Sequence, residues 1–490
     1  AATMTAGRPD GRTAVALSIL LAVWPAGRAA VAQDTSVIDR GVRVGIVYRP
    51  GVRPGLVMLP RQATGTPVDS VRAMITRDLD YSDRFEIITL PGGDSIRLAS
   101  PTPSTPAGRA APRGQRRRGA PARGTPTPPA GRGTGGGAQA LGLNYPLYQA
   151  LGSDFAIDVT ADGDTTSVIV HDIVAAGVRR TLRVRLPAPT DDDFRQAVHR
   201  LADQALQAAL GVRGIAATRV LFVMDGKVYR IDQDGADLEL VSASDRQAMS
   251  PAWSDDGRRF AYMEFQAGRG QLFLQDMATG RRTPVPLTGN ALDFTPAFSP
   301  DGQTLAFSRA NEEGTDIYTI NVKNNCCLRR LTVGRFSDNL SPTFSPDGQR
   351  IAFVSTRPGL PQIYVMAADG TDQQLFAPFD YGVTGSSNGP EWSPDGQSVA
   401  FHRDVAGTLQ VFVLDVRSRT VRQLTSVGRN EDPTWAPDSR HLAFVSDRAG
   451  YRQLWIIDLE TGRIRPLLRQ SGARLPAWSP RLTETTSFTP

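Results

Sequence analysis

The sequence predicts two domains, an N-terminal α/β domain followed by an all-β six-bladed β-propeller whose C-terminal strand closes the first blade. Three observations predict it. A Pro-x-aromatic phrase recurs six times between residues 250 and 480, followed in three of them by a Ser-Pro-Asp-Gly turn. The stretch ahead of it mixes short apolar strands with two helical patterns. At 490 residues the chain is long enough to build more than one core.

In chain order, Arg8 and Arg12 precede an apolar run from Ala14 to Trp24, and Ala30-Val31-Ala32 follows. Residues 1–32 are read as a secretory signal peptide cut after Ala32, leaving Gln33 first. The run is too short to span a bilayer.

Residues 33–215 are read as the α/β domain. Gly55 to Leu59 and Phe85 to Ile88 are apolar strands. Val71, Met74, Ile75 and Leu79 recur at helical spacing within Val68–Tyr81. Residues 93–140 interrupt the domain. The part from 101 to 140 is rich in Pro, Gly and Arg and lacks Ile, Val, Phe, Tyr and Trp. It cannot bury enough apolar surface to offset its ordering entropy, so a disordered insert is expected. Order resumes at Tyr145, with strands near 155–159, 167–170 and 182–186. A helix then follows, with Thr190 as its cap, Asp191 to Asp193 complementing its dipole, and Gly211 at its end. Phe194, Val198, Leu201, Ala205 and Ala208 form its apolar stripe.

Residues 216–482 are read as the propeller and 483–490 as a tail. Pro251, Pro296, Pro342, Pro390, Pro433 and Pro476 recur at intervals of 43 to 48 residues, with several strands in each interval. Pro-Asp-Gly supplies a tight turn after Phe298, Phe344 and Trp392. Val220 to Val241 supplies strands two to four without a first, and Pro476-Ala477-Trp478-Ser479 is a first strand with none after it. Together they complete the sixth blade and remove free edges. Trp253, Phe298, Phe344, Trp392, Trp435 and Trp478 share one slot and are read as packing between blades.

The formal charge of +6 is local. Arg is concentrated in the insert and the leader, and the remaining body is slightly acidic, so no nucleic-acid partner is expected. The two cysteines, Cys326 and Cys327, are neighbours. They supply neither a disulfide framework nor a zinc ligand set; a vicinal ring and free thiols both stay open.

Signals for catalysis are sparse. Gly385-Ser386-Ser387-Asn388-Gly389 has the letters of a nucleophile elbow, but Pro390 follows it and opens a blade rather than a helix. His171, His199, His402 and His441 show no metal-ligand spacing, and His199 sits on the second helix as a structural residue. Asp232-Gln233-Asp234-Gly235 and Asp369-Gly370-Thr371-Asp372 come nearest to a calcium loop and are read as hairpin turns. No catalytic residue, cofactor or metal is expected.

Several stretches resemble the TolB family, the periplasmic propeller proteins of the Tol–Pal system. They are Val37-Ile38-Asp39-Arg40-Gly41-Val42, Arg77 to Phe85, Ala197 to Asp203 with Thr218-Arg219-Val220, Met249 to Ser254, and Pro476 to Pro480. The resemblance implies a periplasmic scaffold, not an enzyme, with no transmembrane span after signal cleavage. It would link the lipoprotein Pal at the outer membrane to TolA of the inner-membrane Tol complex, for envelope integrity and outer-membrane constriction in cell division. Val37, Ile38 and Asp39 would fall in an arm that engages TolA. Loops entering each first strand should crown the channel, which makes Asp293, Phe294, Asp338, Asn339, Asn388, Asn430 and Glu431 the expected rim for a Pal-type partner. Asp255 in place of a turn Pro, Ser439 in place of a turn Gly, the cysteine pair and the insert depart from the pattern. The alternatives are a periplasmic propeller holding a small ligand or metal in its channel, where first strands offer Ala, Thr and Glu391, and a propeller-associated peptidase, which needs a separate catalytic domain.

Overall fold

The computed structural model describes residues 53–60, 67–90 and 143–482, apart from 244, 267–268, 290, 336 and 380–384. The leader 1–32, the arm residues Val37, Ile38 and Asp39, the insert 93–140 and the tail 483–490 lie outside the described residues.

The α/β domain contains β1 (Gly55–Met58), α1 (Pro67–Tyr81), β2 (Glu86–Ile88), α2 (Tyr145–Ala150), β3 (Phe155–Asp162), β4 (Thr165–Asp172), β5 (Gly177–Arg185) and α3 (Phe194–Leu210). The sheet runs β2-β1-β3-β4-β5, parallel around β1 and antiparallel from β3 onward. Spacing of four along α1 puts Val71, Ile75 and Leu79 on one face. They pack with Val198, Leu201 and Ala205 of α3 against Leu56, Phe155 and Val168 of the sheet. On the other face Tyr148 covers Val57, Leu59, Ala156 and Ile173.

Two local features differ from the sequence reading. The helix expected from Thr190 begins at Phe194. The Asp191 side chain accepts the Asp193 N–H at 3.0 Å and its carbonyl accepts the Phe194 N–H at 3.0 Å, so the acidic run is a turn ahead of the helix. The six-residue α2 was not anticipated. Asn144 starts it by accepting the Leu147 N–H at 3.3 Å, and Pro146 stands in its first turn.

The propeller has six four-stranded blades, each ordered from an inner first strand to an outer fourth. The inner strands are Gln247–Trp253, Leu292–Phe298, Asn339–Phe344, Ser387–Trp392, Asn430–Trp435 and Arg474–Trp478, which open blades 1 to 6. Each touches the next, and the sixth touches the first, so the ring is closed. Blade 6 joins Arg474–Trp478 to Arg219–Met224, Lys227–Asp232 and Glu239–Leu240, as the sequence predicted.

The repeated aromatic residues pack between blades. The indole N–H of Trp253 donates to the Ala477 carbonyl of blade 6 at 3.0 Å, and that of Trp435 donates to the Glu391 carbonyl of blade 4 at 3.1 Å. The turn aspartates are also explained locally. Asp301, Asp347 and Asp395 each accept a Ser hydroxyl two residues back at 2.5 Å and a backbone N–H two residues on at 3.0 Å.

Candidate protein-docking face of the propeller

Strand direction gives the propeller two unlike ends. One carries the turns between first and second strands and between third and fourth. The other carries the loops entering each first strand and those joining second to third. The α/β domain occupies the first end, over blades 5 and 6, through buried charge.

In blade 5 the repeat is altered. Ala436 stands where other blades have the Ser that occupies the turn Asp, which frees Asp438 to pair with His441 at 2.8 Å. His441 Nε2 lies 3.3 Å from Asp83, in the turn after α1. Arg440 is bound to Asp458 and donates to the Asp83 carbonyl at 2.9 Å, while Arg463 reaches Asp80 at 2.8 Å and Asp83 at 3.0 Å. Burial alone would lower the pKa of His441. The charge and hydrogen bond of Asp438, with Asp83 and Asp458, instead raise it to about 9.

A second cluster joins α3 to blade 6. His199 donates toward Asp78 at 2.7 Å and faces Asp232 at 3.5 Å, and Arg195 binds Asp232 at 3.1 Å and Asp234 at 2.8 Å. Arg77 adds a contact to Asp234 at 3.0 Å. Burial opposes the charged imidazole, but hydrogen bonds to Asp232 and Asp78 raise its pKa to about 10. Asp78, His199 and Asp234, like Asp83, His441 and Asp458, bring three potential ligand atoms within 4.8 Å. Two guanidinium groups already lie on Asp234, so a protonated imidazole is the cation that balances these carboxylates. The segment Asp232–Gly235 is thus a turn, as read from the sequence, and a docking element besides. Gly214 in the connecting segment lets α3 approach closely: a Cβ there would stand 1.9 Å from an oxygen of Asp203, which accepts the Ala216 N–H at 2.9 Å.

The opposite end is built differently. Each inner strand carries a bulge before its Pro, at Ser250, Thr295, Ser341, Gly389, Asp432 and Leu475, all with φ between 46° and 60°. Five of these six are not glycine, so a ring of left-handed residues surrounds the channel at this end. Two positions earlier the side chains turn into the blade, which places three of the expected rim residues in the interior. Asn339 and Asn430 are fully buried and Asp293 nearly so. Asn339 accepts from Ser355 at 2.8 Å and Arg357 at 3.2 Å; Asn430 accepts from Arg448 at 2.9 Å; Asp293 binds Arg309 at 2.9 Å. Each arginine also lies over an aromatic ring: Arg357 over Tyr364, Arg448 over Trp455, Arg309 over Tyr318. Burial raises the Asp293 pKa to about 6 against the pull of Arg309.

The other expected rim residues reach the surface to differing degrees. Asp338 is exposed, while Phe294, Asn388 and Glu431 are partly so. Glu431 is held by Arg429 at 3.0 Å and Arg452 at 3.3 Å. Sequence reasoning missed the apolar members of this end. Phe265, Val333, Leu360, Val405, Val427 and Tyr451 are exposed, Val333 by 75% and Val427 by 62%. All six sit in loops entering first strands or at second-to-third connections. Repeat alignment could have found two of them, since Arg357-Pro358-Gly359-Leu360 and Arg448-Ala449-Gly450-Tyr451 share a register.

Inside the ring, Glu391 is half-buried, its carboxylate accepting the Trp435 N–H at 2.9 Å and the Thr434 hydroxyl at 3.0 Å. Burial raises its pKa to about 7 despite those bonds. His402 accepts the Asp432 N–H at 3.2 Å, and burial lowers its pKa.

Comparison with known proteins agrees with this architecture. Residues 207–380 and 381–486 match the family model described as the TolB beta propeller domain. Over 149 residues the chain is 36% identical to the Tol-Pal system protein TolB of Methylococcus capsulatus, a match covering 28% of this chain and 35% of that protein. Over 188 residues it is 31% identical to the Tol-Pal system protein TolB of Bordetella pertussis, covering 37% and 42%. The chain therefore matches less than half the length of these relatives. The crystal structure of TolB from Acinetobacter baumannii has the same fold, with a TM-score of 0.67 at 22% identity over 88% of this chain and 98% of that one. The chain belongs to the TolB beta-propeller family.

Proposed function

We propose that this chain is a periplasmic protein-binding scaffold of a Tol–Pal system, with no enzymatic activity. It docks a Pal-type lipoprotein on the propeller end opposite the α/β domain. Val37, Ile38 and Asp39, ahead of β1, form the arm that engages TolA. The chain thereby couples the outer membrane to the inner-membrane Tol complex, after export and removal of residues 1–32.

The observation that carries this reading is the contrast between the ends. Among the described residues, the polar contacts of the α/β domain fall at one end of the ring. Among the same residues, the other end presents six exposed apolar side chains beside Asp338, Asn388 and Glu431, a mixture that suits a protein interface with a polar rim. The buried Asn339, Asn430 and Asp293 support the reading indirectly, by bracing the loops whose exposed members make contact. Left-handed residues ring the same end, and such strain is common where a surface is held ready for a ligand. A small ligand in the channel is less well supported, because Glu391 is already occupied by Trp435 and Thr434.

Calorimetric titration of residues 33–490 with the soluble domain of the same organism's Pal tests the reading. The expected result is saturable one-to-one binding that survives deletion of residues 33–40. Absence of binding at high micromolar concentration would remove it.

A further inference from the structure

The adjacent cysteines follow the third-to-fourth turn of blade 2 and take no part in the contacts that the α/β domain makes on blades 5 and 6. In the structure Cys326 and Cys327 form a disulfide at the start of the outermost strand of blade 2, Cys326–Arg330. We propose that this ring is a thiol–disulfide exchange site whose substrate is a dithiol.

Four observations carry the proposal. First, the bond joins residues one apart in sequence, so it closes no loop and ties no two elements together. The loop-closure stabilisation that accounts for a structural disulfide is essentially missing here. Second, both residues are exposed, as is Leu328 beside them, so a thiolate can approach the sulfurs without opening the blade. Third, Cys327 is held at φ +66°, a left-handed conformation unfavourable for a residue with a Cβ. Ring opening frees it. Fourth, the surroundings are basic. Lys323 and Arg329 are exposed nearby, which favours the thiolate form once the ring is open.

The strand is attached in a way that tolerates this change. It pairs with Gly314–Asn321 at Tyr318↔Arg330, Thr319↔Arg329 and Asn321↔Cys326, with a break in register between Thr319 and Asn321. Cys327 stands opposite that break. In the exchange, a thiolate of the dithiol attacks one Sγ and the other Sγ leaves as thiolate, giving a mixed disulfide. The second thiol of the reagent then displaces the first cysteine. Two electrons and two protons pass to Cys326 and Cys327, and the reagent leaves as its own disulfide.

The test uses the folded chain, with dithiothreitol as the dithiol and phenylarsine oxide as a trap that bridges two neighbouring thiols with loss of water. Under native conditions reduction should add two hydrogen masses, after which one arsenical should bind per chain. The thermal midpoint should stay within about 2 °C, because no core packing depends on the ring. Cys326→Ser and Cys327→Ser should unfold at the same midpoint and take up no arsenical. The proposal is overturned if the ring resists dithiothreitol until the chain unfolds. It is also overturned if reduction lowers the midpoint by about 5 °C or more, which would make the ring a structural staple.

Discussion

The two ends of the propeller are made from the same strands, yet one is closed by buried charge and the other is open and apolar. At the closed end, blade 5 abandons the common Ser-Pro-Asp-Gly turn for Ala436-Pro437-Asp438-Ser439, and Arg440 and His441 follow. Blades 2 to 4 keep the turn and close it with their own Ser-to-Asp bond. At the open end, the inner-strand bulges repeat in every blade, and the side chains mounted around them vary. The lesson is that the repeat builds the ring, whereas departures from the repeat mark where something docks.

The largest effect should come from breaking the closed end. Arg440→Ala leaves Asp458 and the Asp83 carbonyl without their buried partner and should cost about 3–5 kcal/mol. Arg357→Ala, at the open end, loses a stack on Tyr364 and a bond to Asn339 and should cost about 1–2 kcal/mol. Urea unfolding of both variants checks this; equal losses would erase the contrast between the ends.

Next in size is a pH dependence confined to the closed end. His441 and His199 have folded pKa values of about 9 and about 10, raised from 6.5. The stability they contribute is fully present below pH 6.5 and is lost as pH rises through those values. At about 1.4 kcal/mol per unit, the joint loss is several kcal/mol. The thermal midpoint should therefore fall from pH 7 to pH 10, and His441→Gln should flatten part of that fall. A midpoint constant over this range would show that the imidazoles are not charged in the folded chain.

A third test addresses the open end alone. Replacing Leu360 and Tyr451 together by Asp should weaken binding of the Pal-type partner at least about tenfold, because both stand exposed in equivalent loops. Stability should change by less than about 0.5 kcal/mol per substitution, as expected for surface positions. Loss of folding in place of binding would make these side chains structural.

A separate effect is expected in the channel. The Glu391 pKa is raised to about 7, so ionising it above pH 7 works against the folded state, and the group favours folding as pH falls from 7 toward 4.5. Glu391→Gln should gain up to about 3 kcal/mol at pH 8 and under about 1 kcal/mol at pH 5. A loss at both pH values would mean that the carboxylate is needed as an acceptor for Trp435 and Thr434.

Much of the fold was legible because the propeller writes its period into the sequence. Six prolines at near-constant spacing fixed the blades, and an orphan first strand at Pro476 fixed the closure. The closed end was half legible. Asp438-Ser439 was visible as a departure, but the partners of Asp232 and Asp234 lie on a helix some forty residues earlier, and only folding brings Arg195 and His199 to them. The open end was least legible. Buried Asn339 and Asn430 look like solvated loop residues in sequence, since a bulge rather than a composition signal turns them inward. Leu360 and Tyr451 are single apolar residues in short polar loops, set apart only by aligning one repeat on the other. The start of α3 was misplaced because a run of three aspartates serves equally well as a helix N-terminus or as the turn before one.

The central claim is that partner docking belongs to the end away from the α/β domain. Hydrogen exchange of the chain, alone and saturated with the soluble domain of Pal, tests it most directly. The account predicts new protection at residues 356–361, 427–431 and 447–452, with no change at 232–237 and 458–463. Protection of the latter segments, with the former unaffected, would contradict it.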